Sequence, residues 1–293
     1  MPTKIEWCDE TINPMVGCSK ISDGCVNCYA QRMAMRLAAM GQEKYRDICR
    51  WDGLLGYDET VLDKIDSWKT PKIIFITSMG DPFHDGADWK FLSDMMRRLM
   101  KNDMHVYILL TKRAENMNAF VNWFCDTSRL KALPKHIWLG VTVEHEKYVD
   151  RCRSLVSTRA FIKFVSCEPL LGPVDLRQWM NPVPWFDNVR DDEMNEGWPM
   201  RQIDWVICGG ETGQHARRMD RSWAIQIQKH CSSHSIPFFF KHNGVYDNEG
   251  NRVGKKRAGN TLMLKTYREY PHEYYSLKAY RDLPDSSERK KNI

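Results

Sequence analysis

Short apolar runs that recur along the chain, with helix-like segments between them, constrain this sequence more than any other feature. Lys72 to Thr77, His105 to Leu110, His136 to Thr142, Phe161 to Ser166, Asp204 to Gly209 and Pro237 to Lys241 are rich in β-branched and aromatic residues. That composition suits strands buried on both faces. Thr11 to Gly17 is a candidate for an earlier strand. Between the runs, Trp89 to Met100, Ala114 to Cys125, Glu146 to Leu155 and Ser222 to Ser233 carry helical periodicity. Strand and helix in alternation predict an α/β fold on a parallel sheet with right-handed crossovers, either open or closed into a barrel.

Polar and small residues collect where the runs end: Ser78-Met79-Gly80-Asp81, Thr111-Lys112-Arg113, Thr142-Val143-Glu144, Ser166-Cys167-Glu168-Pro169 and Gly209-Gly210-Glu211-Thr212. In barrels and open parallel sheets this is the edge where ligands bind. Convergence of these ends predicts one enzyme site. The stretch from Asn181 to Arg201, with three prolines, a glycine and five acids, breaks the alternation and reads as an inserted loop or lid. The rhythm fades after Gly244, so residues 1–245 are expected to form the main domain and residues 246–293 an extension. Its basic Arg289 to Lys291 end has the character of a mobile tail.

A chain of 293 residues with 42% hydrophobic content can bury a core without staples. No stretch approaches the roughly 20 apolar residues of a membrane span, and Met1-Pro2-Thr3-Lys4 lacks the apolar run of a secretion signal. A cytoplasmic setting is therefore expected, with ten cysteines as free thiols rather than disulfides.

Three of those cysteines need their own account. Cys18-Ser-Lys-Ile-Ser-Asp-Gly-Cys25-Val-Asn-Cys28 places three thiols within eleven residues, in a glycine-containing loop after the first candidate strand. Thiolates are the usual ligands of iron-sulfur clusters, and three ligands to a 4Fe-4S cluster leave one iron open. Zinc held by the same three and a fourth ligand such as Cys8 is the competing reading, since structural zinc sites are closed and four-coordinate. Cys49, Cys125, Cys152, Cys167, Cys208 and Cys231 lie singly in the chain and read as small buried hydrophobes.

On Asn13-Pro14-x-x-Gly17-Cys18, Gly24-Cys25-x-Asn27-Cys28-Tyr29-Ala30, Leu110-Thr111-Lys112-Arg113, Leu139-Gly140-Val141-Thr142, Ser166-x-Glu168-Pro169-Leu170-Leu171-Gly172-Pro173 and Trp205-x-x-x-Gly209-Gly210-Glu211, the chain resembles a phage-associated three-cysteine-motif family. That family is a domain of unknown function placed near radical S-adenosylmethionine enzymes. The resemblance covers about residues 5 to 245 and implies a partial TIM-like (β/α)6 barrel of the radical S-adenosylmethionine type. Such proteins generally carry Cys-x3-Cys-x2-Cys, so the six-residue first gap here is a departure. The Cys28-Tyr29 pair is similar to the Cys-Tyr of spore photoproduct lyase, which repairs thymine lesions in DNA.

The resemblance implies a 4Fe-4S cluster on Cys18, Cys25 and Cys28, S-adenosylmethionine on its open iron, a 5'-deoxyadenosyl radical, and an electron donor such as flavodoxin or ferredoxin. It further implies that Tyr29, Ser78 and Lys112 contact S-adenosylmethionine. An ammonium at a strand end could pair with the methionine carboxylate, although a surface lysine is the alternative for Lys112. Gly209, Gly210 and Glu211 resemble the Gly-Gly-Glu that holds the cofactor's amino group, but they follow a late strand; a sharp turn is the bland alternative. Asp81, His84 and Glu168 follow strands and are candidates to shuttle a proton or hold a polar substrate, whereas Glu-Pro is also a common turn.

A net charge of +5 is mild and ranks partners only weakly. Lys112-Arg113, Arg217-Arg218, Arg221 and Lys255-Lys256-Arg257 could meet phosphates, or form a solvated basic face. Trp7, Trp51 and Trp198, outside the expected strands, are candidate stacking surfaces for bases. With the phage resemblance, these features predict an isomerase or lyase acting on a DNA nucleobase or its amino-acid-derived substituent. Lesion repair and a non-enzymatic, metal-stabilised nucleic-acid-binding module are the alternatives.

Overall fold

The computed structural model describes residues 3, 5–181, 203–272 and 274. Its elements run β1 (Glu10–Ile12), β2 (Met15–Val16), α1 (Tyr29–Ala39), β3 (Gly56–Tyr57), α2 (Asp63–Ser67), β4 (Ile73–Ile76), α3 (Trp89–Lys101), β5 (Val106–Thr111) and α4 (Ala114–Thr127). They continue with β6 (Leu133–Thr142), α5 (Arg151–Val156), β7 (Ala160–Cys167), β8 (Trp205–Cys208), α6 (Arg221–Ser233), β9 (Phe238–Phe240) and α7 (Lys255–Ala258). Seven strands form one wholly parallel sheet in the order β1-β4-β5-β6-β7-β8-β9. The sheet curls into a half-barrel, compatible with the partial barrel that the resemblance implies, but with seven strands rather than the expected six.

The seventh strand is the front part of Thr11 to Gly17. Glu10–Ile12 pairs with Ile74–Ile76 in the main sheet, whereas Met15–Val16 leaves it and pairs antiparallel with Gly56–Tyr57. Pro14 lies at the change of course, where it cannot donate to a ladder. Three expected helices form nearly as read; the fourth, Glu146 to Leu155, splits into a 3-10 turn at Glu146–Tyr148 and α5.

Period-two alternation sorts the strand residues between two cores. Ile74, Ile76, Leu109, Leu139, Val141, Val165, Val206, Phe238 and Phe240 pack against helix residues such as Leu92, Met96 and Phe120. α3 supplies that face because Phe91, Leu92, Met95, Met96 and Leu99 recur at helical spacing, and Asp88 caps it by accepting from Lys90 N at 2.8 Å. On the opposite, concave face lie Phe75, Trp138, Phe164, Trp205 and Phe239, joined by Trp7. Gly140 makes room for them, since a Cβ there would stand 2.2 Å from the Phe164 ring.

Trp7 is therefore core, 4% exposed and set edge-on to Trp205 at 6.4 Å, and Trp51 is 6% exposed. Neither is available to stack a base, and Trp198 lies outside the described residues, as do all but the first residue of the expected 181–201 lid and the basic tail at 289–291. The described part of the expected extension packs on the sheet: Phe240 N donates to Tyr267 O at 3.0 Å, and Tyr270 stacks 5.4 Å from Trp205. No helix among the described residues is long and apolar enough to cross a membrane.

Candidate functional site

Parallel registry brings the strand ends level. Thr111 pairs with Val141, Thr142 with Ser166, Cys167 with Cys208, and Cys208 with Phe240. The residues that follow, from Thr77 to His242, are thus delivered to one rim of the half-barrel. At the end of β4, Thr77 takes φ 62°, a left-handed value that β-branched residues avoid. The turn carries Ser78 and Met79 to Asn13, whose Oδ1 accepts from Ser78 Oγ at 3.1 Å and Met79 N at 2.9 Å.

The three-cysteine loop lies over this rim and is fixed to it at several strand ends. At its entry, Gly17 N donates to Met79 O at 3.1 Å. After β5, Arg113 donates to Ser19 Oγ at 2.8 Å and to Cys18 Sγ at 3.5 Å. After β6, the fully buried Glu144 accepts from Ser22 Oγ and from Gly24 N at 3.2 Å, while Arg151 Nη1 balances its charge at 2.8 Å. Gly24 has to be glycine for this approach, because a Cβ would stand 2.8 Å from Glu144 Oε1. After β8, Glu211 Oε2 accepts from Asn27 Nδ2 at 3.0 Å, and Arg217 Nη2 donates to Asp23 O at 2.9 Å. Cys28 then stands at the N-cap of α1.

Each expected site residue has a definite place. Tyr29 and Ser78 meet, the phenol donating to Ser78 O at 2.6 Å. Lys112 is half-buried, with its stem beside Gly24 of the loop. Asp81, 5% exposed, accepts from Thr111 Oγ1 at 2.6 Å, Phe83 N at 3.0 Å and Arg113 Nη1 at 3.1 Å. His84 Nδ1 accepts from Gly86 N at 3.1 Å, so Nε2 carries the proton toward Ser19 Oγ at 2.8 Å. Burial, helped by the nearby Arg113 charge, holds that imidazole below its ordinary pKa.

Glu211 does not stand loose at the rim. Burial works to raise its carboxyl, but Arg217, through N at 2.7 Å and Nε at 2.9 Å, outweighs that and holds it below the usual range. Gly210 donates its N–H to His242 O at 3.0 Å, and Gly209 lies against Lys241 and Glu168. Glu168 forms a further cluster at the rim, within electrostatic reach of Tyr29. Lys241 Nζ lies 2.8 and 3.1 Å from its two oxygens, and His242 Nε2 lies 3.5 Å from Oε1. Burial alone would drain the Lys241 charge, yet Glu168 outweighs it and raises the pKa; burial pushes His242 down to about 4.

Sequence reasoning placed Glu144 at this edge without assigning it a role, and missed Lys241 and His242 as members of the site. Arg113, read there as a phosphate partner, is 6% exposed and committed to Asp81 and Asp85. Arg217, Arg221 and Lys255 are likewise engaged, with Glu211, Thr261 O and Glu6.

All ten cysteines are free. Cys18 and Cys25 are close enough to feel each other's charge, and burial, reinforced by Asp81 and opposed by Arg113, pushes the Cys18 thiol up to about 12. Cys18 and Cys28 pack on the small cluster of Val16, Ala30, Ala34 and Met79, whereas Cys8 packs with Trp7 and Phe75 on the concave core. Cys8 nonetheless lies within electrostatic reach of Tyr29, the residue that follows Cys28. Cys49 is half-buried rather than core. Among the described residues no group of three or more His, Cys, Asp or Glu side chains is drawn together to hold a metal ion, so the loop's fit to a metal rests on its donor chemistry: three soft thiols, with the neighbouring carboxylates spent on Arg113, Arg151 and Arg217.

Among curated proteins and solved structures nothing matches the chain. A family model matches residues 2–271, and on it the chain belongs to the family described as Protein of unknown function (DUF5131).

Proposed function

We propose that this protein is a radical S-adenosylmethionine enzyme in which Cys18, Cys25 and Cys28 hold a 4Fe-4S cluster, and that it rearranges or cleaves a group on a DNA nucleobase. The observation that carries the reading is the loop's position: the segment bearing Cys18, Cys25 and Cys28 is fixed over the strand-end rim of a parallel half-barrel by Arg113, Glu144 and Glu211. Thiolates are the usual ligands of such clusters, and three of them leave an iron open. When bound, the cluster and S-adenosylmethionine together supply a 5'-deoxyadenosyl radical that abstracts hydrogen.

The chain's own residues orient and enclose. Lys112, beside the loop at Gly24, offers an ammonium to the methionine carboxylate. Tyr29 and Ser78, joined at 2.6 Å, supply a polar edge next to Cys28. Glu168, held by Lys241 and His242, can accept a proton or orient a donor on the substrate. Below them the aromatic floor of Phe75, Trp138, Phe164, Trp205 and Phe239 keeps water from reaching the reacting groups from that side.

The nucleobase half of the reading rests on the phage-family resemblance and on the cations left at the rim. Arg218, Lys256 and Arg257 are exposed and suit a phosphate backbone. Repair of a base lesion is the nearest variant, and a low-potential donor such as flavodoxin or ferredoxin would supply the electron.

Anaerobic reconstitution, followed by dithionite and S-adenosylmethionine, tests the proposal. Wild type is expected to form 5'-deoxyadenosine and Cys25→Ala to form none. A chain that purifies with stoichiometric zinc and releases no 5'-deoxyadenosine overturns it. Mass spectrometry of nucleosides from DNA made with and without the active protein tests the substrate: a changed base is expected, and identical nucleosides count against DNA.

A further inference from the structure

Arg113 is wired as no surface arginine would be. Its Nη1 lies 3.5 Å from Cys18 Sγ and 3.1 Å from Asp81 Oδ2, its Nε 3.1 Å from Asp85 Oδ2, and its Nη2 2.8 Å from Ser19 Oγ and 3.3 Å from Ser19 O. Five contacts on one planar fork leave it a single orientation. Asp81 is as firmly set, since Thr111 Oγ1 and Phe83 N hold its other oxygen at 2.6 and 3.0 Å. The Cys18 sulfur therefore has a fixed cation in contact and a fixed anion behind it, the two groups 6% and 5% exposed. At such burial salt screens little, and a charge acts strongly on its neighbour.

Reduction potentials of iron-sulfur clusters follow net charge and the hydrogen bonds to their sulfurs. One-electron reduction adds a negative charge to the cluster, with no bond made or broken. A neighbouring cation stabilises that reduced form, and a neighbouring anion opposes it. We propose that Arg113 and Asp81 are positioning residues that set the reduction potential of the cluster held by Cys18, Arg113 raising it and Asp81 lowering it. The inference rests on the cluster reading of the three-cysteine loop.

The test is a dithionite redox titration of the anaerobically reconstituted full chain, followed by electron paramagnetic resonance, with iron and sulfide measured on the same samples. Arg113→Gln is expected to lower the ratio of reduced to oxidised cluster roughly tenfold at a fixed potential, a shift of 59 mV for one electron. Asp81→Asn is expected to move it the opposite way. A residue that merely supports the fold gives no reason for opposite signs, so two shifts in the same direction, or none, overturn the proposal. Arg113→Gln leaves Asp81 buried without its partner and can unfold the chain; Asp81→Asn then decides alone, a rise supporting the proposal and a fall or no change overturning it. Wild type without iron and sulfide overturns the loop reading itself, whereas an intact cluster with unmoved potentials overturns only the tuning.

Discussion

The floor of the half-barrel and its rim are built from the same strands, yet they obey different rules. On the floor, Phe75, Trp138, Phe164, Trp205 and Phe239 bury one large ring per strand, and any ring of similar volume could substitute at modest cost. At the rim, Glu144 and Glu211 each hold one arginine and one part of the cysteine loop, while Asp81 holds Arg113, which itself reaches Ser19 and Cys18. Nothing of similar size replaces a carboxylate that must accept from a loop donor and balance a guanidinium together. The contrast separates what keeps the sheet folded from what keeps the thiols in place.

The largest effect should fall on the floor. Trp205→Ala removes a fully buried indole that meets Trp7, Trp138, Phe164 and Phe239 and should cost roughly 3–5 kcal/mol in urea unfolding. Iron content per folded chain should not change; if it drops with the floor intact in the circular dichroism spectrum, floor and rim are not separable. Next comes Glu144→Gln, which leaves Arg151 without its buried partner. A cost of roughly 3 kcal/mol is expected, this time with iron content below wild type. Unaltered iron would mean the loop does not depend on this anchor.

A smaller effect, of the opposite character, comes from pH. His242 has a folded pKa lowered from 6.5 to about 4, so the unfolded chain takes up the proton first as pH falls. Its contribution is fully present above the unfolded value and drains as pH drops toward the folded one, about 2 kcal/mol between pH 7 and pH 5. Urea midpoints measured across that range should fall for wild type and fall less for His242→Asn; equal slopes would remove His242 from the account. Smallest is Asn27→Ala, which takes one donor from Glu211 but leaves Arg217 in place. About 1 kcal/mol is expected, with faster iron loss to a chelator as the sharper readout.

The same division decides what could be read from the sequence. The floor and the helix-facing core were legible because β-branched and aromatic runs state their own burial, as Phe161 to Ser166 does for β7. The strand ends were legible as polar clusters, and the cysteine loop by its spacing. What did not show was the wiring. Glu144 meets Ser22 and Gly24 from more than a hundred residues away, and Arg113 finds Asp81 across 32; a buried arginine and a phosphate-binding one look alike in a sequence. Lys241 and His242 were hidden at the end of an aromatic strand. α1 was missed although Ala30, Ala34, Leu37 and Ala38 keep helical spacing, because a buried stripe made mostly of alanine is a weak apolar signal and the exposed Met33 and Met35 interrupt the polar face of Arg32 and Arg36.

One measurement goes straight to the claim that the loop holds a cluster with a vacant coordination position. The electron paramagnetic resonance spectrum of the anaerobically reconstituted, dithionite-reduced chain should show a reduced 4Fe-4S signal whose g-values move when S-adenosylmethionine is added. A signal indifferent to that addition, or no iron-sulfur signal at all, would contradict it.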